Sequence, residues 1–152
     1  MAATRVATQE VVRVAQPAPR FELKDTNGRD VKLSDFDGKA VIVTILLAAD
    51  RPSQRQVPVL VELRKKYDDK DLVVIAISLD STPAAQLQEF AKQREIKFPI
   101  LLADYKVVQD FGGLSAVPTT FVIDKNHNII HRYVGFIEEP VFEDDMRAIL
   151  KK

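Results

Sequence analysis

From Ala40 to Ala49 the chain reads AVIVTILLAA, an almost unbroken apolar run rich in β-branched side chains. Such a run suits a strand buried on both faces, so it predicts the middle strand of a sheet. Leu72 to Ser78 (LVVIAIS) predicts a second buried strand. Between the two, Val57, Leu60, Leu63, Arg64 and Tyr67 recur at helical spacing, with Asp50 placed as N-cap and Pro58 placed to kink the helix. A second helix follows, capped by Ser81 or Thr82, with Pro83 in its first turn and Leu87, Phe90 and Ala91 inward. Phe98 to Leu102 predicts a short strand, and Val107 to Phe111 a short helix closed by Gly112-Gly113.

Two hairpins frame this alternation. Phe21 to Lys24 and Val31 to Leu33 flank an Asn27-Gly28 turn, with a second turn at Ser34 to Gly38. Thr119 to Ile123 and Ile129 to Val134 flank Asp124 to Asn128, and a last helix from Pro140 buries Phe142, Met146, Ile149 and Leu150. Strand and helix alternation calls for right-handed parallel crossovers, and the closing hairpin adds antiparallel strands at one edge. The expected class is α/β, a mixed central sheet with helices on both faces. Residues 1–16 (MAATRVATQEVVRVAQ) read as a flexible polar leader, separated by Pro17-Ala18-Pro19 from one domain over 17–152.

Composition narrows the chemistry. Twenty-two basic and 22 acidic residues cancel, which removes the basic excess that attracts nucleic acid or an anionic membrane. No apolar run reaches the roughly 18 residues of a membrane span, and Arg5, Glu10 and Arg13 stand where a signal peptide needs an apolar stretch. With no cysteine, the chain has no disulfide, zinc-thiolate, iron-sulfur or thiol-nucleophile chemistry. His127 and His131 are the histidines. Four residues along a strand span about 13 Å, too far for one ion, and no metal site or cofactor is expected. The run Glu62 to Asp71 (ELRKKYDDKD) reads as the solvated end of a helix, and Glu143, Asp144 and Asp145 as dipole-favoured charges early in the last helix.

PRFELKDTNGRDVKLSDFDGKAVIVTILLAAD, Pro52, Pro58 and AVPTTFVIDKNHNII resemble the thioredoxin-fold proteins of the TlpA-like and AhpC/TSA (redoxin) group, over about residues 17–152. The resemblance implies a thioredoxin-like fold with an N-terminal β-hairpin and a cis-proline at Pro118. It also implies thiol-disulfide exchange through Trp-Cys-x-x-Cys, and counting back from Pro58 puts the two cysteines at Asp50 and Ser53. Family thiolates gain reactivity from a helix N-terminus, which a carboxylate and a serine cannot reproduce toward a disulfide. The family's Trp is Ala49 here, and an acid that moves protons in the TlpA-like group is Gln56, which does not titrate.

Scaffold motifs kept beside a lost redox pair point to a redox-inactive member. It would bind a peptide or protein in a groove formed by Ala49, Asp50, Arg51, Pro52, Ser53, Gln56, Val117 and Pro118. The rival readings are a cysteine-altered form of the enzyme and a purely structural domain. By resemblance alone, the expected compartment is extracytoplasmic.

Overall fold

The computed structural model describes residues 8–150. Strand β4 (Ala40–Leu46) is buried at every position, pairs parallel with β5 (Leu72–Ser78) and pairs antiparallel with β7 (Thr119–Ile123). The six-stranded sheet has the order β1-β8-β7-β4-β5-β6, adding β1 (Thr8–Pro17), β8 (Asn128–Val134) and β6 (Ile100–Leu102). The apolar run therefore does lie inside a mixed sheet.

Alternation along β4 divides the core. Ala40, Ile42 and Leu46 pack with Leu60 and Leu63 of α1 (Arg51–Lys66) and with Phe142 and Met146 of α4 (Glu139–Leu150). Val41, Val43 and Ile45 pack on the other face with Phe21, Leu23 and Leu33 and with Val107 of α3 (Tyr105–Asp110). Both faces exclude water, so no polar alternation survives in the sequence of this strand. The exception is Thr44, fully buried, whose hydroxyl lies 3.0 Å from that of Thr120 directly across on β7. One hydroxyl donates and the other accepts, so each has a partner in the core.

The Asn27-Gly28 hairpin forms from β2 (Glu22–Lys24) and β3 (Asp30–Lys32), with Gly28 at φ +83° in the turn. Asp25 organises it: one carboxylate oxygen accepts from the N–H groups of Asn27 and Arg29 at 2.8 and 2.9 Å, and the other from the Arg29 guanidinium at 3.2 Å. Leu33–Phe36 is a 3-10 turn, α3 ends at Gly112-Gly113 with positive φ at both, and the β7–β8 hairpin turns through His127.

Three expectations change. Residues 8–16, read as leader, belong to β1, which pairs antiparallel with β8 with a register shift between Val11 and Gln16. Strand β8 would otherwise leave its outer row of backbone groups unpaired, and the β-branched segment supplies the partner. Residues 1–7 of the expected leader lie outside the described residues. Helix α2 (Ala84–Gln93) is capped by neither Ser81 nor Thr82; Pro83 is the N-cap, with no side-chain cap, and its carbonyl accepts from Gln86 N–H at 3.0 Å. The charged end of α1 is more than a solvated surface: Lys66 pairs with Glu139 and Glu143 of α4 at 2.7 and 2.6 Å, and the Tyr67 hydroxyl reaches Glu143 at 3.2 Å. Helix α1 continues through Pro58.

Candidate functional site

In the antiparallel register of β4 and β7, Ile45 faces Thr119. The loop leaving β4 at Leu46 and the loop entering β7 at Thr119 therefore emerge at the same end of the sheet. This brings Ala49 to Ser53 and Val117-Pro118 to one end of the molecule.

Asp50 opens α1 from an extended backbone, and one carboxylate oxygen accepts from both the N–H and the hydroxyl of Ser53, each at 2.9 Å. Ser53 is buried, and its hydroxyl oxygen in turn accepts from Leu47 N–H at 3.3 Å. The preceding loop is tied down as well: Ala48 N–H donates to Asp80 at 2.9 Å, and the Gln54 side chain donates to Ala48 C=O at 2.9 Å. Ala49, Arg51 and Pro52 are exposed around this closed network. With its proton donated to Asp50, its oxygen accepting from a backbone N–H and its side chain buried, the Ser53 hydroxyl is held inside the cap network and is not presented to solvent.

Gln56 lies one turn further along α1 and is fully buried. Its amide nitrogen donates to Ile137 C=O at 2.9 Å, and its amide oxygen accepts from Ile137 N–H at 2.8 Å. Two residues before Ile137, Gly135 N–H donates to Pro118 C=O at 2.7 Å. Between them Phe136 lies under the Arg55 guanidinium, 4.3 Å from the ring centroid. Residues 135–137 thus link α1 to the Pro118 loop and form a third wall of the site, which sequence reasoning missed. The available signal was Gly135 directly after the last strand, with an aromatic residue following it.

The Val117–Pro118 peptide bond is cis, Pro118 is buried and Val117 half-buried. The Thr119 hydroxyl closes this loop by donating to Ala116 C=O at 2.7 Å. Among the described residues, neither the N–H nor the C=O of Val117 has a hydrogen-bond partner within the chain.

The histidines lie elsewhere. Nε2 of His127 is 2.9 Å from Phe36 C=O in the β7–β8 turn, at the opposite end of the sheet from Pro118. His131 stacks on Tyr133, whose hydroxyl donates to the buried carboxylate of Asp145 at 2.6 Å. Asp145, read from sequence as a dipole-favoured charge early in the last helix, is buried and anchors α4 to β8. No helix among the described residues is long and apolar enough to cross a membrane.

A mixed sheet flanked by helices, with a helix opening directly after the central strand and a proline loop beside it, is the thioredoxin-type arrangement. A thiol:disulfide interchange protein of the thioredoxin family from Chlorobium tepidum has this fold, with a TM-score of 0.82 at 23% identity over 92% of this chain and 99% of that one. The AhpC/TSA family model matches residues 14–132, and the chain belongs to that family. It is 29% identical to the thiol-disulfide oxidoreductase ResA of Bacillus thuringiensis subsp. konkukian over 93% of this chain and 81% of the relative. It is 31% identical to ResA of Geobacillus thermodenitrificans over 91% of this chain and 79% of the relative. The relatives are thiol-disulfide oxidoreductases, and this chain has no cysteine.

Proposed function

We propose that the chain is a redox-inactive member of its family that binds an extended peptide or protein segment in a groove between Ala49 to Pro52 and Val117-Pro118, with Ser53 and Gln56 buried beneath it. The observation that carries this reading is the absence of cysteine from a chain whose scaffold around the site is otherwise complete. Disulfide exchange passes through a mixed disulfide, and the chain has no thiol to form one. Asp50 and Ser53, at the positions the resemblance gives to the two thiols, bond to each other and to the backbone of their own helix start.

Support for binding comes from Val117. An N–H and a C=O without partners, on a half-buried residue at the mouth of a strand, offer an extended chain the start of a β-ladder. The exposed Ala49 and Pro52 and the ring of Phe136 supply apolar surface beside it.

Insulin reduction by dithiothreitol tests the redox half of the proposal. The purified chain is expected to leave the uncatalysed rate unchanged, and an acceleration would contradict it. The double variant D50C/S53C shows what the scaffold retains: turnover by this variant would mean that loss of the two thiols alone silenced the site.

A further inference from the structure

Helix α1 carries its charges in an unfavourable order at its start. Arg51 and Arg55 lie four residues apart on one exposed face, close enough for their like charges to repel, and Arg51 opens the helix at the positive end of its dipole. Beyond the N-cap Asp50, the first turn holds no acidic residue to offset them. At the other end of the same helix Arg64, Lys65 and Lys66 all form ion pairs. Among the described residues, neither Arg51 nor Arg55 does.

Among the described residues, none of the carboxylates nearby in the chain forms an ion pair with either arginine. One oxygen of Asp50 takes the N–H and hydroxyl of Ser53. One oxygen of Asp80 takes Ala48 N–H and the Ser78 hydroxyl. Glu138 follows the 135–137 wall and is exposed, without an ion pair to either arginine among the described residues. Arg55 is held over the Phe136 ring, its guanidinium carbon 4.3 Å from the centroid, and among the described residues its N–H donors make no hydrogen bond or ion pair within the chain. Phe136 is itself fixed from both sides, through Gly135 N–H on Pro118 and the Gln56 amide on Ile137. The result is a guanidinium fixed on the 135–137 segment, which itself bonds to Pro118, the residue after Val117.

We propose that Arg51 and Arg55 form a carboxylate receptor on the rim of the groove, so that the extended segment it takes is an acidic one. This rests on the groove reading above and adds the chemical class of its partner. Paired with the backbone of Val117, such a segment would present an Asp or Glu side chain to both guanidiniums and relieve their mutual repulsion.

The test is selection of a phage-displayed library of short linear peptides on the full chain, in parallel on R51Q/R55Q and on A49W, which obstructs the groove. The wild-type chain should enrich peptides bearing Asp or Glu, R51Q/R55Q should lose that preference, and A49W should enrich neither. A selected peptide should weaken by about tenfold when its acid is changed to the amide, and by a similar factor toward R51Q/R55Q. R55K, which keeps the charge but not the fork, should fall between. Groove-dependent enrichment indifferent to acids, or an acid preference that survives in R51Q/R55Q, overturns this inference and leaves the groove reading standing. Enrichment that A49W does not abolish, or none at all, overturns both. Arg51 and Arg55 are exposed, so R51Q/R55Q should still fold, read as a cooperative thermal transition. The acid-to-amide comparison on the wild-type chain does not depend on any variant folding.

Discussion

Gln56 places a donor and an acceptor on one buried backbone unit, and the pairing fixes which side chains position 56 accepts. Gln56→Ala leaves the N–H and C=O of Ile137 buried without partners and should cost about 3 kcal/mol in urea unfolding. Gln56→Glu is more discriminating. A neutral carboxyl can donate to Ile137 C=O and accept from its N–H, whereas a carboxylate sets an oxygen against the carbonyl. The folded-state pKa of that glutamate is therefore raised, so the stability of Q56E relative to the wild type should be highest below about pH 4, the unfolded value, and fall as pH rises through the folded one. A difference from wild type that does not change with pH would refute the clamp. The sequence showed that position 56 does not titrate; what it does instead depends on a contact 81 residues away, which no local pattern carries. The Asp50 cap, by contrast, was legible, because a carboxylate before a helical stripe has a local partner. Asp50→Ala should lower stability by about 1 kcal/mol.

At the scale of elements, the hairpin and the last helix are the informative cases. Burial alone would push the Asp25 carboxyl up, but the N–H groups of Arg29 and Asn27, with the Arg29 guanidinium, outweigh it and hold the group below its ordinary range. A depressed folded-state pKa gives stability that is fully present above the ordinary value of 3.8 and is lost as pH falls through the folded value. Asp25→Asn should therefore remove part of the acid limb of the stability profile, read by thermal unfolding between neutral and strongly acid pH. The Asn-Gly signal located this turn from sequence, but nothing local foretold that Asp25 would bridge to Leu101 and so attach the hairpin to β6. Helix α4 was legible as an apolar stripe, while its fastening was not: Asp145 to Tyr133 and Glu143 to Lys66 join charges that look solvated in one dimension. Phe142 is fully buried against Tyr133, its ring centroid 5.9 Å away edge-on, and Phe142→Ala should cost about 3 to 5 kcal/mol in the same unfolding measurement.

For the whole molecule, the order of strands and helices was readable because β4 and β5 bury both faces and announce themselves as apolar runs. The β1 strand was not, because an edge strand paired on one side needs no apolar run. The site was readable in part: Ala49 to Ser53 and Val117-Pro118 do emerge at one end of the sheet, while the Gly135 to Ile137 wall is assembled by hydrogen bonds between distant segments. The molecule keeps a family scaffold in which Asp50 and Ser53 bond to each other, while the Val117 N–H and C=O have no partner among the described residues. Capture of proteins from an extract of the source organism tests that account most directly, with wild-type bait compared against A49W, both with and without dithiothreitol. The account predicts at least one protein held by the wild-type chain, released by A49W and indifferent to dithiothreitol. Identical sets of proteins on both baits would contradict it.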